Sequence, residues 1–144
     1  MPPDNPLDIL VVEDNESQRT TIVSLIEAAV EGAHVAAVAG GEEALTLLYD
    51  HCVHDPPKLI LLDLSLAPGS GFDVLDRIRS SDSRAPMART PVVIFTDSQD
   101  SNDIETSYRL GANSYVIKPL GFREFQSTVV ALAAYWIACN QTAT

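Results

Sequence analysis

Four short apolar runs in this chain end on residues that could do chemistry. Leu7–Val12 is followed by Glu13 and Asp14, and the run that starts at Leu59 carries Asp63 near its end. Val92–Phe95 is followed by Thr96 and Asp97, and Ser114–Ile117 by Lys118. Brought together, Glu13, Asp14 and Asp63 would repel, since two unit charges ~4 Å apart cost about 4 kcal/mol at an effective dielectric of about 20. A hard divalent cation with oxygen ligands would relieve that repulsion. Mg²⁺ fits best, because it takes one or two carboxylates, keeps several waters and completes its shell with phosphate oxygens. Zinc is disfavoured, as no His or Cys stands at these positions. A carboxylate beside such a cation and a lysine can also act as a nucleophile, accepting a phosphoryl group as an acyl phosphate. Lys118 would then oppose the charge on the transferred group, and the Thr96 hydroxyl could donate to it. Helix capping and turn formation would explain any one of these acids, but not acids at successive strand ends.

The elements that must position these residues follow from the pattern around them. Asn15 can cap a helix in which Ile22, Leu25, Ile26, Ala29 and Val30 share one face. His34–Val38 reads as a short strand, and Gly40-Gly41 precede a helix carrying Ala44, Leu45, Leu47 and Leu48. The run from Leu59 to Leu64 is continuous rather than alternating, as a strand buried on both faces requires. A helix over Phe72–Arg79, a polar connector over Ser80–Thr90 and a strand over Pro91–Phe95 come next. Asp100–Leu110 reads as a helix ended by Gly111, and Ser114–Ile117 as a fifth strand. The last helix carries Phe122, Phe125, Val129, Leu132 and Trp136 as its expected stripe, with Val130, Ala133 and Ile137 beside it. Five strands alternating with five helices imply a mostly parallel α/β sheet covered on both faces. Ligands of such sheets sit outside the carboxyl ends of the strands, which is where the acids and the lysine fall.

The stretches LVVEDN (Leu10–Asn15), LILLDLSL (Leu59–Leu66), VVIFT (Val92–Thr96) and GANSYVIKP (Gly111–Pro119) resemble, in this order and spacing, the receiver domains of two-component response regulators. The resemblance covers nearly the whole chain. It implies one receiver domain over residues 1–144, a flavodoxin-like doubly wound sheet of strand order 2-1-3-4-5, and no output domain. It implies Asp63 as the phosphoacceptor for a sensor histidine kinase. Mg²⁺ would be held by Glu13, Asp14, Asp63 and the Ser65 backbone carbonyl, with Thr96 and Lys118 on the phosphoryl group. Thr96 and Tyr115 would form the switch, and Pro119 would follow a cis peptide bond. Within the family the chain is similar to stand-alone regulators of cyanobacterial and bacterial phytochromes. Those regulators tend to form a homodimer through the fourth-helix/fifth-helix face. That implies one of two roles for Tyr135 and Trp136: a dimer or partner contact, or Trp136 in the core with Tyr135 a half-exposed side chain. A phosphotransfer protein is the other expected partner. The domain would be a phosphoacceptor that assists its own phosphotransfer and dephosphorylation, not an enzyme acting on other substrates. Two departures stand out: Asp97 occupies a usually small position, and Ala67-Pro68 replaces a proline one residue earlier.

Composition narrows the alternatives. The chain has 144 residues, 46% of them hydrophobic, and a formal net charge of −11 from 20 acids against 9 Lys and Arg. That content suits one cored domain, and the acidity disfavours nucleic acid and anionic membranes as partners. The acidic start MPPDNPLD is unlike a signal peptide, and the two distant cysteines, Cys52 and Cys139, suggest a reduced cytoplasmic protein. The acids from Asp97 to Glu105 lack a calcium-loop pattern and read as helix capping. His51, Cys52 and His54 read as a connecting loop rather than a metal site. Two functional rivals remain. One is a haloacid-dehalogenase-type phosphatase, which wants an aspartate where Ser65 stands; the other is a phosphorylation-independent receiver-like binding module.

Overall fold

In the computed structural model, which describes residues 6–52, 55–82 and 85–142, three strands are buried along their full length. These are β1 (Ile9–Val12), β3 (Leu59–Leu62) and β4 (Val92–Thr96); β1 and β3 pair in parallel with Val12 opposite Leu62. The remaining strands are β2 (Val35–Val38) and β5 (Ser114–Ile117). All pairings are parallel and the order is β2-β1-β3-β4-β5. The continuous apolar runs form the centre, and the less apolar β2 and β5 form the half-buried edges.

Alternate side chains divide the core into two layers. Leu10, Val12, Ile60, Leu62, Val92 and Ile94 pack against α2 (Gly41–His51) and α3 (Gly71–Arg79). Ile9, Val11, Leu59, Leu61, Val93 and Phe95 pack against α1 (Glu16–Ala29) and α5 (Phe122–Ala133). Each fully buried aliphatic side chain contributes about 1.5–3 kcal/mol, so the central strands are held from both sides. The expected polar connector includes a short 3-10 turn, Pro86–Arg89, whose Met87 is buried. Helix α4 (Ser101–Arg109) buries only Ser107 and is capped by Asp100, whose side chain accepts from the Asn102 N–H at 2.8 Å. Of the expected metal-free loop residues, His54 lies outside the described residues. Cys52 is buried and free, and Cys139 is exposed and free.

The expected stripe of the last helix is corrected. The buried residues are Phe125, Val129, Ala133 and Ile137, whereas Phe122 is 67% exposed and Leu132 and Trp136 are half-buried. Phe122 is the first residue of α5 and stands beside the Lys118 cavity. For Trp136 the reason is a wide turn: Ala134–Cys139 is π-helical, with the Asn140 N–H bonded to the Tyr135 carbonyl at 2.7 Å. The extra residue per turn carries Ile137 to the place a regular α-helix would give Trp136. Tyr135 stays exposed and packs edge-on against Trp136, with ring centroids 5.1 Å apart.

Arg79, the last residue of α3, staples three segments together. Its Nε donates to the Gly111 carbonyl at 2.9 Å, Nη1 to the Thr90 carbonyl at 2.7 Å, and Nη2 to Asn113 Oδ1 at 2.9 Å. Asn113 Oδ1 also accepts from the Val92 N–H at 2.8 Å, so the entry to β4 depends on the same group. Gly111 runs at φ +106°, where a side chain would be strained and would crowd the Arg79 stem. Arg79→Met should lower stability by about 3 kcal/mol, because it strands several acceptors that folding has taken out of water. In urea unfolding the midpoint should fall while the slope is unchanged.

Candidate phosphoacceptor site

Strand pairing continues one residue past the ladder and brings the acids together. The Glu13 N–H bonds the Val38 carbonyl and the Asp63 N–H bonds the Val12 carbonyl, both at 3.1 Å. Beyond β5, the Lys118 N–H bonds the Thr96 carbonyl at 2.7 Å. Glu13, Asp63, Thr96 and Lys118 are all buried, at 2%, 5%, 1% and 5% exposure. Asp14 is exposed at the rim.

The Lys118 ammonium joins the cluster from the far edge of the sheet. Its Nζ donates to Glu13 Oε1 at 2.6 Å and to Asp63 Oδ2 at 2.9 Å. A third acceptor, Gln18 Oε1 on α1, lies at 2.6 Å. Burial alone would pull the lysine pKa down, but the bonds and charges of Glu13 and Asp63 outweigh it and hold the group above its ordinary value. Burial pushes Glu13 up, opposed by its bonds from Lys118 and the Asn15 N–H and reinforced by the Asp63 charge. Carboxylate oxygens of Glu13, Asp14 and Asp63 lie within 4.8 Å of one another, the one such acidic or metal-ligating group found among the described residues. Three carboxylates outnumber the single ammonium. Their all-oxygen donor set and exposed rim suit a hard divalent cation.

The other expected residues divide between this site and elsewhere. The Ser65 N–H donates to Asp63 Oδ1 at 3.1 Å and so orients the acceptor carboxylate. Thr96 Oγ1 accepts from the Ser98 N–H at 3.5 Å, a long bond. Tyr115 lies inward, its hydroxyl donating to the Ser98 carbonyl at 2.9 Å, and burial raises its pKa. Ser98 Oγ in turn donates to Asp103 Oδ2 at 2.6 Å, so one residue ties Thr96, Tyr115 and α4 into a single loop. Trp136 lines a different cleft with Asp8, Lys58 and Pro91, at the amino ends of the strands and away from this site. Asp97 is exposed and lines the mouth with Gln18, Lys118 and Phe122, around a cavity of about 400 Å³.

The expected cis bond before Pro119 is also corrected. Among the described residues the cis peptide is Ala67–Pro68, in the loop between Asp63 and α3. The peptide after Lys118 is trans, and the Lys118 N–H continues the β4–β5 pairing through its bond to the Thr96 carbonyl.

Three contributors were missed from the sequence: Gln18, Arg19 and Gly71. Arg19 Nη1 donates to the Glu13 carbonyl at 2.9 Å and closes the β1–α1 turn. Gly71 lets α3 start directly against the Asp63 backbone, for a Cβ there would overlap the Asp63 carbonyl oxygen. The spacing of Gly71 from Asp63 was the available signal. For Gln18 the signal was its position three residues after the cap Asn15, which reads as ordinary capping.

Comparison with known proteins agrees with this geometry. The family described as the response regulator receiver domain matches residues 9–130. The probable methanogenesis regulatory protein FilR2 of Methanothrix harundinacea is 32% identical, over 96% of this chain and 89% of that protein. The response regulator Rcp1 of Synechocystis is 27% identical, over 92% of this chain and 90% of that one. Other relatives are longer transcriptional regulators, of whose length the chain spans about half. The crystal structure of the phosphorylated cyanobacterial phytochrome response regulator RcpA superposes with a TM-score of 0.86 at 29% identity, covering 97% of this chain and all of that one. Among the described residues no helix is long and apolar enough to cross a membrane. With its sheet order, its acidic cluster and its lysine matching the family in sequence order, the chain belongs to the response regulator receiver domains of two-component signalling.

Proposed function

We propose that Asp63 accepts a phosphoryl group from the phosphohistidine of a sensor histidine kinase or from a phosphotransfer protein. The observation that carries this reading is the buried Lys118 ammonium bonded to both Glu13 and Asp63. In the transfer an Asp63 carboxylate oxygen forms a bond to phosphorus and the donor's P–N bond breaks. The electron pair stays on the imidazole nitrogen, which is then protonated. Mg²⁺ held by Glu13, Asp14, Asp63 and the Ser65 carbonyl would supply charge neutralisation for the transferred group. Lys118 opposes the charge gathering on the phosphoryl oxygens, and the Thr96 hydroxyl, on the neighbouring strand, would donate to them. Tyr115 and the Ser98 loop then report occupancy of the site to the face of α4, β5 and α5.

The chain acts as a phosphoacceptor assisting its own transfer and hydrolysis, with no turnover of other substrates. Phytochrome-type kinases are the proposed donors, supported by the likeness to RcpA, itself a phytochrome response regulator. Exposed Tyr108 and Ile117 support a homodimer contact on the α4–β5–α5 face.

Intact mass after incubation with Mg²⁺ and acetyl phosphate tests the reading. A phosphate adduct is expected on the wild type and absent from Asp63→Asn. Wild-type protein that never acquires phosphate would instead identify a phosphorylation-independent binding module, and sustained hydrolysis of phosphate esters would identify a phosphatase.

A further inference from the structure

An ammonium has three N–H donors, and Lys118 has all three engaged. Glu13 Oε1, Gln18 Oε1 and Asp63 Oδ2 take them at 2.6, 2.6 and 2.9 Å, around a side chain that is 3% exposed. A phosphoryl oxygen arriving at the still ionised Asp63 can therefore bond this ammonium only by displacing an acceptor already there. While the group approaches, Glu13 and Asp63 are both still carboxylates, which hold a cation by charge as well as by hydrogen bonding; Gln18 offers a neutral amide oxygen and is the weakest of the three.

The way Gln18 comes to be free for this contact is visible in the turn before α1. Asn15 caps the helix, accepting from the Gln18 N–H at 2.9 Å, which fixes Gln18 as the third helical residue. A glutamine at that position ordinarily reaches back to the N–H of the cap. Here Glu13 Oε2 accepts from the Asn15 N–H at 3.1 Å. The capping role is filled, and the Gln18 side chain turns to Lys118 instead.

We infer that Gln18 is a positioning residue that occupies the Lys118 N–H destined for the phosphoryl group and surrenders it when Asp63 is phosphorylated. The inference rests on Asp63 being the phosphoacceptor. The exchange moves no proton: one N–H···O bond to the amide is replaced by one to a phosphoryl oxygen. Gln18 thus sets how readily the site accepts phosphate, acting through Lys118 from the mouth it shares with Asp97.

Two variants and one spectrum test this. Gln18→Met keeps the length of the side chain, shields the position from water and leaves one N–H without an acceptor. Gln18→Glu replaces the neutral acceptor with a charged one. With acetyl phosphate and Mg²⁺, followed by intact mass, the Met variant should phosphorylate about three- to tenfold faster than wild type and the Glu variant about tenfold slower. A residue that merely shaped the fold would make both variants equal to wild type or slower. In wild-type protein the Gln18 side-chain amide resonances should also move on phosphorylation, as the contact to Lys118 is lost. A Met variant no faster than wild type, or amide resonances that stay in place, overturns the inference and leaves the phosphoacceptor reading intact. Wild-type protein that takes up no phosphate overturns both.

Discussion

Lys118→Met is expected to abolish phosphorylation and to destabilise the fold at once. Among the described residues its ammonium is the one cation paired with the Glu13 and Asp63 carboxylates, which are 2% and 5% exposed. Removing one member of a buried ion pair costs about 3–5 kcal/mol, chiefly because the charge left behind has lost its compensation. Here two carboxylates would be left facing each other. The urea midpoint should therefore fall sharply, and added Mg²⁺ should recover more stability in the variant than in the wild type, because the ion becomes the only positive charge available to the cluster. Phosphorylation by acetyl phosphate should drop by at least about a hundredfold, the usual cost of deleting a preorganised group that meets developing charge. A variant of wild-type stability whose midpoint ignores Mg²⁺ would show that the cluster does not depend on the lysine.

Gly71→Ala should do comparable damage from outside the charged cluster. Helix α3 begins so close to β3 that an added Cβ would overlap the Asp63 carbonyl and lie 2.9 Å from Leu64 Cα. Backbone on both sides has no room to yield: the Gly71 N–H is bonded to the Leu64 carbonyl at 3.0 Å, and Asp63 is bonded into the β1 ladder. Overpacking of this kind costs about 1–3 kcal/mol. The shift falls on the phosphoacceptor itself, where a displacement of about 1 Å can cost on the order of a hundredfold in rate. Gly40→Ala is the matched control at another helix start, since its Cβ would meet only the end of the Glu43 side chain at 3.4 Å. Thermal unfolding and acetyl phosphate labelling of the two variants should separate cleanly, with Gly40→Ala near wild type in both.

The strands and the strand-end acids were legible because burial on both faces demands unbroken apolar runs, and a polar residue ending such a run has few places to point. Asp14, Asp63 and Lys118 could be named on that ground alone. Gln18 could not, since its position fits a capping role that Glu13 fills only once the strands are paired. Arg79 was hidden for a similar reason: it serves backbone carbonyls, which leave no mark in a sequence pattern. The stripe of the last helix was misread at Trp136 because hydrophobic periodicity assumes a constant pitch, which the π-helical turn at Ala134 changes. It was misread at Phe122 because a helix's first residue overhangs the sheet end. The cis bond fell at Pro68 rather than Pro119, in the loop where the sequence already departs from the family's pattern.

The chain reaches the parts of this site in a fixed order. Glu13 belongs to the first strand and Asp63 to the third, both central, whereas Lys118 follows the last strand, at the edge of the sheet. A chain that has folded β1 to β4 without β5 therefore has its acids in place and no counter-charge for them. The final strand, held to the sheet by β4 alone, closes the charge balance of the whole cluster when it docks. Local opening of that edge would undo the site while the core stays folded. Loss of phosphoacceptor competence and loss of the domain are thus separable events, and the first can precede the second.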